Sequence, residues 1–372
     1  MQIQPSGRPP FRADHIGSLL RPPKLRHAFR EVHEKRMDEP TFRAIQDEAI
    51  RDVVRLQADA GLAVVNDGEF RRGSYWGRFV ELTDGLTVRN AIFKFKDDHG
   101  HELDFTAPHV NGKVRRGRAI AVDEVAFLKT LTDKPIKVTL PSPSTMHFWR
   151  GNDYADPGLY ESAEAFFADL ARVFQDEIAA LAAAGAQYVQ LDEVAIAMLC
   201  DPAARGKVQA AGLDPDRLVD LYVDAITQAV ARRPANLVVG VHMCRGNFKG
   251  KYLAEGGYDS VAEKLFNGAD VNHFLLEYDT PRAGDFAPLR FVPKGKGVVL
   301  GLVSSKVPEL ESVDTLRRRT EEAAKYIDLD RLGISPQCGF ASTVAGNPVT
   351  EADERAKLAR IVETTRAIWG TA

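Results

Sequence analysis

The stretch ESAEAFFADLARVFQDEIAALAAAGAQYVQLDE, residues 161–193, contains in succession a helix, a strand and a polar strand end. From Glu161 onward it is Ala-rich with apolar residues at helical spacing, and it stops at Gly185, a residue that readily takes the left-handed backbone closing a helix. The short apolar run Gln187 to Leu191 then reads as a strand. Asp192 and Glu193 end that run with two carboxylates.

The same alternation of apolar run and helical pattern continues almost from end to end. Further strands are expected at Asp14 to Ser18, Ala63 to Asp67, Pro135 to Leu140, Leu237 to Val241, Asn272 to Glu277, Gly297 to Val303 and Leu332 to Ser335. Helices are expected between them: one capped by Thr41 and ending near Gly61, one opened by Asp214 and Pro215 and ending before Pro234. Two more run from Ser312 to Tyr326 and from Thr350 to Trp369. Strands alternating with helices argue for a parallel sheet, and eight of them favour a closed (β/α)8 TIM barrel over an open doubly wound sheet.

A barrel with insertions can occupy all of residues 1–372 as one catalytic domain. Residues 85–118 break the rhythm. They alternate apolar and polar residues around Asp97, Asp98, His99 and Gly100, which reads as a β-hairpin inserted after the second strand, a lid or a dimer arm. A homodimer is therefore expected. The first dozen residues, with Pro5, Gly7, Pro9 and Pro10, read as an extended arm.

Charge and cysteine usage narrow the partners. A net charge of -3 gives no broad basic field of the kind nucleic acid selects, so a small molecule is the expected partner. The runs Arg115, Arg116, Arg118 and Arg317, Arg318, Arg319 read as solvated faces. Cys200, Cys244 and Cys338 are too few and too far apart for a disulfide framework, which points to a reducing compartment. With no signal-like N-terminus and no apolar stretch of bilayer length, a cytoplasmic protein without a membrane partner is expected.

In a TIM barrel the chemistry gathers where strands end, so polar residues closing the apolar runs carry the functional information. Here those residues are His15, Gly17 and Ser18; Asp67, Gly68 and Glu69; Asp192 and Glu193; His242 and Cys244; Glu277 and Asp279; Ser304, Ser305 and Lys306; and Cys338. His242 and Cys244 are two apart, which lets both side chains face one side as ligands of one metal must. With Glu277 and Cys338 from other strand ends they form a ligand set typical of zinc. Cys200 follows the apolar run Ala195 to Leu199 and reads as a buried small hydrophobe. His273 reads as a core histidine, and His147 as either packing or site. Asp192 and Glu193 diverge in direction, so one faces the site and the other a structural partner. Glu69 with Arg71 and Arg72 is either a site group or an ion-pair cluster. The glycines at 246, 250, 256 and 257 lack the order of a phosphate-binding loop.

The segments DHIGSLLRP, NDGEFRR, QLDEVA, VHMCRGN, FLLEYD and SPQCGF, in that order, resemble the catalytic half of cobalamin-independent methionine synthase and the short proteins related to it. The resemblance spans nearly the whole chain. It implies that His242, Cys244, Glu277 and Cys338 bind Zn2+, which in turn binds the thiol of homocysteine and keeps it a nucleophilic thiolate. It implies that Ile16, Gly17 and Ser18, with Glu69 and Asp192, hold the carboxylate and amino groups of an amino-acid substrate, and that Trp149 stacks on a folate ring. Full-length members carry a second barrel that helps bind the folate tail, and 372 residues leave no room for it. The family's catalytic histidine after the seventh strand is replaced by Ser304, Ser305 and Lys306. Asp192, Ser304 and Ser305 are thus the candidate catalytic residues, and the donor stays open between methyltetrahydrofolate and another methyl carrier.

Two other readings remain at this point. A zinc thiolate of the same kind adds coenzyme M to epoxides in related barrels, and a zinc ion can also merely stabilise a non-catalytic binding protein.

Overall fold

The computed structural model of the protein describes residues 6–91, 95–96, 102–103 and 105–372. Among these residues ten strands occur in chain order: β1 Thr83–Asn90, β2 Phe95–Lys96, β3 Glu102–Leu103, β4 Thr106–Arg116, β5 Lys137–Pro141, β6 Tyr188–Glu193, β7 Val238–Met243, β8 His273–Glu277, β9 Gly297–Val303 and β10 Leu332–Pro336. β5 to β10 form one parallel sheet in sequence order.

The two segments expected as the first and second strands close that sheet into a TIM barrel. Ala13 bridges Ile334 of β10 and Val65 bridges Ile136 before β5, both in parallel. The closing segments meet each other through Leu19 N–H to the Gly68 carbonyl at 3.1 Å and the Asn66 amide to the Gly17 carbonyl at 2.8 Å. Each contributes a single bridge rather than a full ladder. Gly17 and Gly68 have φ values of 140° and 69°, which turn the chain out of the strand towards the barrel mouth.

The helices outside begin largely where local chemistry places them. Ser162 caps Ala163–Ala184, which ends at left-handed Gly185; Asp214 caps Pro215–Val230; Ser312 caps Val313–Ala323. Thr350 forms a capping box with Asp353 at the start of Glu351–Trp369. The cap expected at Thr41 belongs instead to Asp38: the helix Glu39–Asp59 starts two residues earlier, with Asp38 accepting from Thr41 N–H at 2.7 Å. Pro40 needs no N–H bond in that first turn, so the helix starts ahead of it.

The insertion is an antiparallel hairpin, paired from Thr83 with Arg116 to Asn90 with Thr106, and further out Phe95 with Leu103. Asp97, Asp98, His99 and Gly100, the expected turn, lie outside the described residues. The hairpin base is tied to the barrel by the buried Glu177 carboxylate, which receives Arg116 Nε at 2.8 Å and the Ala121 N–H at 2.7 Å.

The lower barrel interior is polar. Register pairs Lys137 of β5 with Tyr188 of β6, and Gly240 of β7 with His273 of β8. β6 and β8 are not neighbours, yet Tyr188 Oη meets His273 Nε2 at 2.5 Å. The contact passes over Gly240, where a β-carbon would come within 2.5 Å of the imidazole. Tyr188 donates to Asp14 Oδ2 at 3.0 Å, and Asp14 Oδ1 faces the Lys137 ammonium at 3.0 Å, with neither charged side chain exposed. Phe11, Val64, Tyr188 and Val238 pack together at this end. One ion pair and one phenol thus span four barrel segments.

Because breaking a buried pair leaves a bare charge, Lys137→Met is expected to cost about 3–5 kcal/mol of stability. The double variant with Asp14→Asn should cost less. Denaturant midpoints of the three proteins measure this, and a Lys137→Met midpoint equal to the parent's would mean the pair does not hold the barrel together.

Glu354 gives a second test. It is fully buried in the first turn of the last helix, with Oε1 accepting from Leu20 N–H at 3.0 Å and Oε2 without a hydrogen-bond partner. Burial pushes its carboxyl up to about 8. The native state therefore keeps a proton that the unfolded chain loses near 4.5, so stability falls as pH rises from about 4.5 to about 8. Glu354→Gln should lose that slope and overtake the parent at alkaline pH. Parallel pH slopes for the two proteins in chemical denaturation would refute the assignment.

Candidate active site and metal centre

The end of β7 carries His242, and the residue just beyond it is Cys244, while Cys338 follows β10 across the mouth. All three are buried, and one ligand atom of each lies within 4.8 Å of the other two. His242 Nδ1 meets the carbonyl of Leu275, its register partner in β8, at 3.2 Å. A carbonyl only accepts, so Nδ1 carries the proton and the lone pair is left on Nε2, which is buried without a hydrogen-bond partner. A neutral imidazole and two sulfurs with one outer carbonyl fit a soft divalent metal.

The two sulfurs are unequal. The hydrogen bond between them holds Cys338 well below the ordinary thiol range, with His242 adding to it against the effect of burial. The same bond, together with burial, pushes Cys244 well up. Cys200 is elsewhere: its sulfur lies 3.7 Å from the Ile196 carbonyl, and burial raises its thiol to about 12.

Glu277, at the end of β8, falls outside the His-Cys-Cys group. Its Oε2 accepts from the Arg245 N–H at 2.7 Å, and its Oε1 faces Lys306 Nζ at 3.5 Å and Arg282 Nη2 at 3.8 Å. Ser304 and Ser305 do not line the cavity above the group. The Ser305 hydroxyl donates to the Gly339 carbonyl at 2.9 Å and its N–H to Gln337 Oε1 at 2.6 Å, which ties the loop after β9 to the loop bearing Cys338.

The cavity has a volume of about 520 Å³, and His242, Cys244 and Cys338 lie in its wall with Ile16, Ser18, Glu69, Asp192 and Trp149. Glu69 reaches it through a strained turn: φ is 62° at Glu69 itself, directly after left-handed Gly68. Its Oε1 accepts from the Thr139 hydroxyl at 2.8 Å, and a β-carbon at Gly17 would approach that same oxygen to 2.8 Å. Asp192 is held by Gln190 Nε2 at 2.7 Å, and the same amide nitrogen reaches the Ile16 carbonyl at 2.5 Å. Burial and the Glu69 charge raise Asp192 to about 7. Burial raises Glu69 as well, although Arg72 opposes it. The adjacent Glu193 turns away and accepts from the hydroxyls of Ser142 at 2.5 Å and Ser144 at 2.6 Å.

The remaining sequence candidates separate cleanly. Arg72 pairs with Glu124 at 2.7 Å and Arg71 with Asp47 at 2.6 Å, so these arginines belong to an ion-pair cluster beside the site. His273 belongs to the lower interior, and His147 is packed among aromatic rings with Nδ1 2.9 Å from Tyr222 Oη. Trp149 meets Phe105 edge to face at 5.3 Å, which brings the residue just before β4 into the cavity wall. Gln190 and Thr139 escaped the reading of strand ends. The signal for Gln190 was its place two residues before Asp192, hence on the same face of β6.

These features define a thiolate-rich TIM barrel whose mouth joins a metal-type ligand group to a pair of carboxylates. Residues 11–365 match the catalytic domain of cobalamin-independent synthase, and the chain belongs to that family. It is 38% identical to YxjH of Bacillus subtilis over 97% of this chain and 95% of that one. Methionine synthase of Pyrococcus abyssi is 28% identical over 87% of this chain and 85% of that protein. The solved structure of a putative vitamin-B12 independent methionine synthase from Listeria monocytogenes superimposes with a TM-score of 0.76 at 29% identity, covering 100% of both chains. At the family level the reaction is methyl transfer to homocysteine. Among the described residues no helix is long and apolar enough to cross a membrane.

Replacing either cysteine of the group removes a thiolate ligand. Cys244→Ser and Cys338→Ser should lose most of their bound metal while Cys200→Ser keeps it. Elemental analysis of the folded variants tests this, and stoichiometric metal in both of the first two would remove the group from consideration.

Proposed function

We propose that the chain is a zinc-dependent methyltransferase that methylates the thiol of homocysteine or a closely similar amino-acid thiol. The observation that carries this reading is the opening of His242, Cys244 and Cys338 onto the same cavity as Glu69 and Asp192. A structural zinc site is closed by four protein ligands, whereas a catalytic one leaves a position for substrate. This group faces space large enough for a small molecule.

Zinc held there would supply a Lewis acid that keeps a substrate thiol deprotonated at neutral pH. The protein's own residues do the rest. Glu69 and Asp192 present carboxylates to the substrate ammonium, and Gln190 and Thr139 keep those carboxylates in place. Ile16, Gly17 and Ser18 offer backbone and hydroxyl donors to the substrate carboxylate. Trp149, backed by Phe105, offers an apolar face to the methyl donor, a folate or another carrier. The sulfur attacks the methyl carbon as the bond from that carbon to the donor atom breaks, so the electron pair leaves with the donor. Orienting both reactants in one pocket is the main rate contribution the residues can make.

Each carboxylate removed deletes a charge-assisted hydrogen bond worth roughly 1.5–3 kcal/mol, about tenfold to a hundredfold in affinity. Glu69→Ala and Asp192→Ala should weaken homocysteine binding by that factor while metal content stays whole. Calorimetric titration of the zinc-loaded proteins measures it, alongside detection of methionine with candidate methyl donors. Unchanged homocysteine affinity in both variants would reject the amino-acid thiol as substrate.

A further inference from the structure

Lys306 is buried, and its ammonium has no hydrogen-bond partner. Its nearest opposite charge is Glu277 Oε1 at 3.5 Å, an ion pair without a hydrogen bond. Arg282 Nη2 approaches the same oxygen at 3.8 Å, and the other carboxylate oxygen is engaged by the Arg245 N–H at 2.7 Å. The Lys306 charge also acts on both Cys244 and Cys338, lowering each. Glu277 is therefore surrounded by donors on the protein side, while the three groups that lie together are His242, Cys244 and Cys338.

Charge accounting gives this arrangement a purpose. A divalent cation with two thiolates and one carboxylate is already a net anion, and an incoming substrate thiolate adds another negative charge. A buried cation beside the carboxylate offsets that excess and gives Glu277 a partner that is not the metal. We infer that Lys306 is a positioning residue for Glu277: it holds the carboxylate on the protein side and so leaves the fourth position at His242, Cys244 and Cys338 to the substrate sulfur. This inference rests on the methyltransferase reading. It assigns to Lys306 the control of thiol entry rather than any contact with the reacting atoms.

The consequence is specific. Without the ammonium, Glu277 has fewer competing partners and becomes a stronger fourth ligand. The metal should then be held more tightly while the thiol binds more weakly, a pair of opposite shifts that a general loss of structure does not produce. An arginine keeps the charge and should restore both.

The test uses the full chain loaded with Co2+, whose visible bands report sulfur in the ligand shell, titrated with L-homocysteine; chelator competition gives metal affinity. Lys306→Met is expected to weaken homocysteine binding at least tenfold and to slow metal loss, and Lys306→Arg to return both towards the parent. Equal homocysteine affinity and metal affinity in Lys306→Met and the parent would overturn the inference while leaving the methyltransferase reading intact. A parent protein whose bands do not respond to homocysteine would instead overturn the methyltransferase reading, and this inference with it. Should Lys306→Met fail to fold by circular dichroism, Lys306→Gln and Glu277→Gln replace it. Removing the carboxylate should then give tighter thiol binding than the parent if Glu277 competes for that position, and no gain would count against the role of Lys306.

Discussion

The hydrogen bond from His242 Nδ1 to the Leu275 carbonyl is the constraint on which the site turns. It exists because β7 and β8 run parallel with His242 opposite Leu275, so barrel register fixes an imidazole tautomer. The free nitrogen is then directed at two sulfurs from different parts of the chain, one beyond β7 and one beyond β10. A slip of one residue in the β7–β8 register would turn His242 to the other face of the sheet and dissolve the group. The polar lower interior supports that register: Asp14, Lys137, Tyr188 and His273 link barrel segments that are not all neighbours, and their hydrogen bonds are directional where apolar packing is not.

Much of this was legible in the amino-acid order because strands and helices write their periods plainly. Six of the eight expected strands form the sheet to within two residues at their ends, and Ser162, Asp214, Ser312 and Thr350 lie where helices start. His242, Cys244 and Cys338 were readable because a side chain that ends a barrel strand has only one place to face. The first two segments were less legible. Their backbone departs at Gly17 and Gly68 after a single bridge, a feature of dihedral angle that residue identity only hints at. Ser304 and Ser305 show the other limit. Position after β9 put them near the mouth, but which way a loop hydroxyl points depends on partners far away in sequence, here the Gly339 carbonyl and Gln337. Lys306, one residue on, carries the charge that faces Glu277, and only tertiary contact distinguishes it from its neighbours.

The electrostatics of the mouth separate two guests. Glu69 and Asp192 are buried carboxylates lining the cavity, and both are pushed up in pKa, which means that their charge is underused by the protein itself. A cation that enters gains by restoring it. Glu277 is treated in the opposite way, with Lys306, Arg282 and a peptide N–H already arranged around it. A positive guest has little to gain there, while an anionic sulfur beside Cys244 and Cys338 meets a nearby ammonium. An α-amino thiol carries an ammonium at one end and sulfur at the other, and one cavity of about 520 Å³ holds both environments. The coupling of Asp192 to His242 and Cys338 shows that the two environments are close enough to sense each other's charge. Recognition of the ammonium end therefore favours the binding of a small molecule whose sulfur falls on the metal-ligand group, and a thiol without an amino group forfeits that alignment.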